Sequence, residues 1–156
     1  MKKVLLVDDE QSFLSIMSER IKSWGYEVTC AESGKEAIGF LSEDKADMII
    51  LDYKMPEMDG IETLSKIREI NKTIPVIMFT AYPDQKSIKG TEGLKISAFI
   101  PKSGMFGSGE AALKVALSVM EKEFKKEEDW YPPKFIIYKK TYLQPILNTN
   151  KRLGII

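Results

Sequence analysis

Short apolar runs alternate with amphipathic stretches five times along the chain, and this alternation constrains the fold more than any other feature. The runs lie at 3–7, 26–31, 47–51, 75–80 and 96–100. Strands that are apolar on both faces are typical of parallel sheets covered by helices on both sides. The sequence therefore predicts an α/β fold with one five-stranded parallel sheet, doubly wound, with helices on both faces.

The stretches between the runs carry apolar residues at three- and four-residue steps, which is the period of an amphipathic helix. The first helix shows Phe13, Ile16, Met17, Ile21 and Trp24, the third shows Ile61, Leu64, Ile67 and Ile70, and the last, at about 109–127, shows Leu113, Ala116, Met120 and Phe124. We expect these side chains to face the core.

Two helix starts carry capping signatures, and one helix is weak. The segment SGKE at 33–36 has the pattern of a capping box, and DGIE at 59–62 is its aspartate version. The fourth helix contains Gly90 and Gly93, and each glycine costs about 1 kcal/mol of helix propensity. A short fourth helix is therefore expected.

Composition excludes several classes of chemistry. The chain has no histidine and a formal net charge of +0, so His-based catalysis, His-containing zinc sites and a global attraction to nucleic acid are not expected. The single Cys30 excludes an internal disulfide, as is usual in a reducing cytoplasm. No apolar stretch approaches the length of a membrane span. We expect a cytoplasmic protein with no membrane contact.

The character of the sequence changes after residue 127. Residues 128–156 hold three prolines, five of the 15 aromatic residues and a net charge of +3, from five basic and two acidic residues. We divide the chain into a domain at 1–127 and a C-terminal extension at 128–156. The extension is too short for a winged-helix DNA-binding domain. It is expected to pack on its own domain or on a second copy as a dimerisation arm, or to begin a truncated output region.

Polar groups follow the predicted strands at one edge of the sheet. Asp8 and Asp9 follow the first strand, Asp52 the third, Thr80 ends the fourth and Lys102 follows the fifth. The carboxyl ends of parallel strands meet at one edge, so these five groups should converge. Three close carboxylates repel one another unless a cation joins them, and oxygen ligands without His or Cys favour Mg²⁺.

This pattern resembles the CheY-like receiver domains of two-component response regulators. The matching features are the acidic pair Asp8-Asp9, the block LDYKMPEMDG around Asp52, Thr80-Ala81, Lys102, and Phe99 at the position of the family's switch aromatic. The resemblance covers residues 1 to about 127. It implies a flavodoxin-like sheet with strand order 2-1-3-4-5. It also implies that Asp52 accepts a phosphoryl group, in a phosphorelay or a simpler two-component pathway, from a sensor histidine kinase or a histidine phosphotransfer protein.

The resemblance also implies a role for each matching residue. Asp8, Asp9, Asp52 and the backbone carbonyl of Lys54 would bind Mg²⁺. Thr80, Ala81 and Lys102 would bind the phosphoryl oxygens, and movement of Thr80 would open space for Phe99. That switch would signal to a downstream protein through the surface formed by the fourth helix, the fifth strand and the fifth helix.

Two further features concern the lifetime and the loop geometry of such a site. Lys54 and Tyr82 stand two residues after the phosphoacceptor and the threonine, where family members flank the path of the hydrolytic water; both are bulky and neither orients water. We expect a phosphoaspartate that lasts many minutes. Most family members have a cis proline after the lysine, whereas this chain has Ser103, and a cis bond to a non-proline residue costs about 3–4 kcal/mol.

Two alternative functions stay open at this stage. A pseudo-receiver would bind partners without being phosphorylated. A haloacid-dehalogenase-like phosphatase would use the same aspartate nucleophile, but it requires a second aspartate where this chain has Lys54. The favoured interpretation is a signalling switch and not an enzyme, apart from Mg²⁺-dependent self-phosphorylation from a phosphodonor and slow autodephosphorylation.

Overall fold

A computed structural model describes residues 1–43, 46–81, 85–102, 108–123 and 135–136. Strands and helices alternate along the chain. The strands are β1 Lys3–Val7, β2 Glu27–Ala31, β3 Met48–Leu51, β4 Val76–Thr80, β5 Ala98–Pro101 and β6 Phe135–Ile136. The helices are α1 Gln11–Ser23, α2 Gly34–Leu41, α3 Gly60–Ile70, α4 Gln85–Gly90 and α5 Ser108–Glu123. In the parts of the chain that are described, no helix is both long enough and apolar enough to span a membrane.

The sheet confirms the predicted fold class and strand order. Its strands run in the order β2-β1-β3-β4-β5-β6, and all are parallel to their neighbours. The sixth strand was not expected. It lies within the extension and pairs with the outer edge of β5, with Phe135 opposite Ala98 and Ile136 opposite Phe99. A five-stranded sheet leaves the backbone groups of β5 unpaired on that side, and β6 satisfies part of that edge.

Each face of the sheet is covered by its own helices. Val4 and Leu6 of β1 point into a cluster formed with α1 and α5. Leu5 and Val7 point the other way, into a cluster formed with α2 and α3. Side chains of successive strand residues alternate between faces, so the uniformly apolar strands fill two cores at once.

The helix starts behave largely as their signatures predict. The Ser33 side chain accepts a hydrogen bond from the Glu36 N–H, but the Glu36 carboxylate reaches Glu32 N at 2.7 Å and not the N–H of Ser33. Asp59 accepts from the N–H groups of Ile61 and Glu62, both at 2.9 Å. Both caps satisfy N–H groups that the helix itself leaves unpaired.

Two residues of the predicted apolar faces lie outside the core. Ile16 is 59% exposed and Ile70 is 49% exposed, whereas Leu14, which the three- and four-residue steps did not include, is buried. Helix rotation relative to the sheet decides such positions, and a spacing rule does not fix that rotation. The predictions for Ile16 and Ile70 were therefore wrong.

The fourth helix is short, as expected. It covers six residues, Gln85–Gly90, and Gly93 beyond it has a φ of +78°, a conformation that favours glycine. Gly90 has a packing reason as well: a Cβ atom there would lie 3.0 Å from the Ile61 side chain of α3. The glycine that weakens α4 also lets it lie close to α3.

Candidate functional site

Hydrogen bonds of the sheet place three of the predicted site residues one step beyond their strands. Asp8 N donates to the Ala31 carbonyl at 3.1 Å, and Asp52 N donates to the Val7 carbonyl at 3.0 Å. Lys102 N donates to the Thr80 carbonyl at 2.7 Å. The site is therefore held by the backbone of the rigid sheet and not by loop conformation alone.

The three acidic side chains converge at this edge as predicted. Asp8, Asp9 and Asp52 each offer a carboxylate oxygen within 4.8 Å of the others. Asp8 and Asp52 are buried, at 2% and 7% exposure, and Asp9 is exposed. Two carboxylates are thus kept from bulk water, while the third faces it.

Lys102 supplies the positive charge of the cluster. Its ammonium forms a close ion pair with Oδ2 of Asp8 and lies 3.4 Å from Oδ1 of Asp52. Its side chain is only 11% exposed. Oδ1 of Asp8 accepts a hydrogen bond from Glu10 N at 3.0 Å, so both oxygens of Asp8 already have partners.

The environment of Asp52, in contrast, disfavours its charged form. Burial raises the pKa of Asp52 to about 6, and the charge of Asp8 adds to that rise, while Lys102 and the N–H of Tyr53 oppose it. Its Oδ1 atom is buried and accepts no hydrogen bond from any residue that the structure describes. A buried carboxylate oxygen without a hydrogen bond is costly to keep, and this distinguishes Asp52 from Asp8, both of whose oxygens have partners.

The donor set fits a magnesium ion. Mg²⁺ prefers carboxylate oxygens and water, and commonly takes only a few ligands from the protein. The unsatisfied Oδ1 of Asp52 and the exposed carboxylate of Asp9 are oxygens that a cation could use without breaking a hydrogen bond described here. A dication would also offset the repulsion between Asp52 and Asp8.

The turn after Asp52 approaches its backbone closely. A Cβ atom at Gly60 would lie 2.2 Å from the Asp52 carbonyl oxygen, and Gly60 N donates to the Tyr53 carbonyl at 2.8 Å. Glu57 takes a φ of +64° in the same turn. Glycine at position 60 therefore lets α3 begin directly against the strand end that carries Asp52.

The remaining predicted residues take varied positions. Thr80 and Phe99 are buried at 0% and 1% exposure, near the end of β4 and within β5. Lys54 and Ala81 are exposed. Tyr82 lies outside the described residues. Ser103 also lies outside them, so the prediction for the peptide bond between Lys102 and Ser103 falls outside the described residues.

Sequence reasoning missed Phe13 as a site residue. It was assigned to the core face of α1, and it is indeed buried, but its ring also lies under the ammonium of Lys102, 4.0 Å from Nζ to the ring centroid. No spacing signal links positions 13 and 102. The only hint is that Phe13 lies in the first turn of the helix that follows the acidic pair.

A parallel sheet with this order, carrying buried aspartates and a lysine at its carboxyl edge, defines the class of receiver-like signalling domains. Comparison with known families agrees: residues 4–114 match the family described as the response regulator receiver domain. The chain therefore belongs to the response regulator receiver domain family.

Similar proteins include two regulatory proteins that are longer than this chain. Transcriptional regulatory protein ZraR of Escherichia coli K12 is 37% identical over 117 residues, which cover 74% of this chain and 26% of that protein. Regulatory protein AtoC of the same organism is 32% identical over 125 residues, covering 80% of this chain and 27% of that protein. The chain spans about a quarter of the length of these curated relatives.

Solved structures with the same fold include two shorter relatives that the chain covers almost completely. Chemotaxis protein CheY4 of Vibrio cholerae superposes with a TM-score of 0.67 at 30% identity, covering 76% of this chain and 98% of that one. Response regulator TrrA of Thermotoga maritima, solved in complex with Mg²⁺-BeF, gives a TM-score of 0.65 at 31% identity, covering 74% and 99%.

Proposed function

We propose that Asp52 is the phosphoacceptor of a signalling switch in a two-component pathway or phosphorelay. The observation that carries the proposal is the buried Oδ1 of Asp52, which accepts no hydrogen bond from the described part of the chain and lies 3.4 Å from the ammonium of Lys102. Oδ1 could bind a cation without first losing a hydrogen-bond partner, which would leave the other carboxylate oxygen of Asp52 to act as the nucleophile. The charge that builds up on a transferred phosphoryl group would meet a lysine already in place.

The transfer step can be written for this carboxylate. An oxygen of Asp52 forms a bond to phosphorus while the bond from phosphorus to the donor breaks, and the donor keeps that electron pair. Phosphoryl transfer depends mainly on positioning and charge neutralisation, which the sheet-anchored Asp52 and Lys102 provide. A bound Mg²⁺, held by Asp8, Asp9, Asp52 and the Lys54 carbonyl, would neutralise the phosphoryl oxygens.

Binding of the phosphoryl group is proposed to move a switch. Thr80 and the N–H of Ala81 would bind phosphoryl oxygens beside Lys102, and Phe99 would respond to the displacement of Thr80. Thr80 and Phe99 are both buried, as a coupling through packing requires. The surface formed by α4, β5 and α5 would then present a different shape to a downstream protein.

The test is phosphorylation by a small-molecule donor. The protein incubated with acetyl phosphate and Mg²⁺ should gain one phosphoryl group by mass spectrometry, and Asp52→Asn should gain none. Chelation of Mg²⁺ should slow the wild type strongly. A wild type that gains no phosphoryl group would identify a pseudo-receiver, and a phosphorylated Asp52→Asn variant would place the site elsewhere.

The lifetime of the phosphoaspartate is a separate proposal. Lys54 is exposed beside the site, and together with Tyr82 it would crowd the path of the attacking water without orienting it. We expect label loss over many minutes after the donor is removed. A Lys54→Asn/Tyr82→Glu variant should lose the label faster, and a wild type that loses it within seconds would contradict the proposal.

The partners follow from the chemistry. These 156 residues contain no histidine, and we propose that the phosphohistidine donor is a cytoplasmic histidine kinase or phosphotransfer protein. The extension at 128–156 would pack on its own domain, where β6 already pairs with β5, or on a second copy as a homodimer. Amide exchange as slow in 130–156 as in the sheet would support packing, and uniformly fast exchange would oppose it.

A further inference from the structure

We infer that Phe13 is a positioning residue that holds the ammonium of Lys102 at the phosphorylation site. The inference rests on the proposed role of Lys102 and extends it to a residue of α1. Within the described part of the chain, Nζ of Lys102 contacts Oδ2 of Asp8, Oδ1 of Asp52 at 3.4 Å, and the Phe13 ring, whose centroid is 4.0 Å away. Two carboxylates hold the charge from one side, and an aromatic face holds it from another.

The position of the Phe13 ring is fixed by packing. Phe13 is 6% exposed, and its ring lies 6.0 Å from the ring of Phe79, centroid to centroid, at an angle of 43°. Phe79 is in β4 directly before Thr80, and it pairs in register with Ile100 of β5. The ring is thus anchored on the two strands that carry Thr80 and Lys102.

A fixed aromatic surface addresses a weakness of lysine as a positioning group. Lysine carries its charge on a flexible four-carbon stem, so holding it in place costs conformational entropy. The negative face of a ring attracts a cation, and the attraction is stronger where water is excluded. Lys102 is 11% exposed, so its ammonium lies where that attraction counts. The ring would keep the ammonium beside Asp52, and it would not compete with phosphoryl oxygens for the N–H donors of the ammonium.

The contact itself can be tested without any phosphorylation. In the metal-free, unphosphorylated protein, the ε-methylene protons of Lys102 should resonate upfield of exposed lysines, because they lie near a ring face. Phe13→Leu should abolish that upfield shift, and Phe13→Tyr should keep it. Absence of the shift in the wild type would overturn the inference even if Asp52 is phosphorylated. Conversely, a wild type that shows the shift but gains no phosphoryl group would refute the proposed function alone.

The kinetic consequence is measured with acetyl phosphate and Mg²⁺. Phe13→Leu should lower the initial phosphorylation rate about 3- to 10-fold, as expected for loss of one partly desolvated cation–π contact, and Phe13→Tyr should restore it. In a Lys102→Ala background, Phe13→Leu should cause no further loss. An unchanged rate in Phe13→Leu, or an equal loss in the Lys102→Ala background, would overturn the inference.

Two further variants separate ring electrostatics from packing. Phe79→Leu loosens the same cluster but removes no ring from Lys102, so it should slow the reaction less than Phe13→Leu; an equal effect would assign the loss to packing. Fluorinated phenylalanines placed at position 13 keep the ring shape and weaken its negative face. The rate should fall as fluorines are added, and a rate independent of fluorination would overturn the inference even if Phe13→Leu fails to fold.

Discussion

The carboxyl and amino edges of the sheet each hold a charged side chain that is wholly or partly buried, and they differ in how its hydrogen bonds are satisfied. At the carboxyl edge, Oδ1 of Asp52 is buried and accepts no hydrogen bond from the residues described. At the amino edge, the guanidinium of Arg68 from α3 donates to four backbone carbonyls at 2.7–3.1 Å. Burial lowers the pKa of Arg68 to about 10, yet the N–H groups of its guanidinium donate hydrogen bonds.

The difference separates a structural charge from a functional one. The carbonyls that Arg68 binds belong to Leu94, Lys95, Asn71 and Ile74, which lead into β4 and β5. Arg68 thus fastens the segments that precede two strands, and its hydrogen bonds offset the cost of its burial. Asp52 has less compensation: Lys102 and the N–H of Tyr53 favour its charged form, but its Oδ1 accepts no hydrogen bond from the residues described. Satisfaction of hydrogen bonds therefore distinguishes the half-buried Arg68 from the buried Asp52.

Removing Arg68 should cause the largest loss of stability. Arg68→Ala leaves partly buried carbonyls without donors, and we expect the free energy of unfolding to fall by about 2–4 kcal/mol. Urea denaturation measures it. Phosphorylation per folded molecule should be nearly unchanged, since Arg68 lies at the other edge.

Two variants control for the loss of an arginine. Arg20→Ala removes the half-exposed ion pair with Glu110 at 3.0 Å and should cost less than about 1 kcal/mol. Arg68→Lys keeps the charge but not the planar fork, so it should fall between wild type and Arg68→Ala. An Arg68→Ala variant as stable as Arg20→Ala would show that the hydrogen bonds of Arg68 stabilise the fold no more than a half-exposed ion pair does.

Gly60→Ala tests how closely the functional edge is built. The new Cβ would lie 2.2 Å from the Asp52 carbonyl oxygen and 2.9 Å from Cα of Tyr53, both backbone atoms that must shift. We expect a loss of about 1–3 kcal/mol in unfolding free energy and slower phosphorylation, because Asp52 moves with its backbone. Both are measured on the same preparation.

The matched control is a glycine with open space around it. Gly39 is exposed in α2, and a Cβ atom added there would have no neighbouring atom within 4 Å, so Gly39→Ala should stabilise the protein by about 0.5–1 kcal/mol. The same substitution thus has opposite signs at positions 60 and 39. Unimpaired phosphorylation by Gly60→Ala would show that Asp52 tolerates displacement.

Sequence reasoning predicted the polar residues of the carboxyl edge far better than those of the amino edge. Asp8, Asp52 and Lys102 follow apolar strands, and parallel strands bring their ends together whatever the loops do. Arg68 reads as an ordinary polar residue of an amphipathic helix, because two of its partners lie 26 and 27 residues away in a loop. Phe13 was assigned to the core for the same reason. Contacts that depend on helix rotation and loop paths leave no period in the sequence.

Asp52→Asn should raise stability while it abolishes phosphorylation. The pKa of Asp52 is raised to about 6, chiefly by burial, so the carboxylate is less favourable in the folded protein than in water. In metal-free buffer at neutral pH, the neutral amide should increase the free energy of unfolding by about 1 kcal/mol. Thermal unfolding measures it. A clear loss of stability would mean that the pair with Lys102 outweighs the desolvation of Asp52, as in a structural ion pair.

The smallest effect concerns Tyr26, a second polar group at the amino edge. Its hydroxyl donates to Oε2 of Glu121 at 3.3 Å, which joins the start of β2 to α5. Burial, and then the charge of Glu121, raise the pKa of Tyr26 from 10.0 to about 12. If this edge is built for stability, the bond should stabilise the fold, and Tyr26→Phe should cost about 0.5–1 kcal/mol at neutral pH.

The pH dependence of the Tyr26 effect gives the sharper test. The folded protein keeps the hydroxyl proton to higher pH than the unfolded chain, so this contribution is fully present below pH 10 and is lost as the pH rises towards about 12. The stability difference between wild type and Tyr26→Phe should therefore shrink over that interval. Glu121→Gln keeps an acceptor oxygen but removes the charge, so it should reduce the slope only in part. A difference that stays constant with pH would show that Tyr26 ionises as readily in the folded protein as in the unfolded chain.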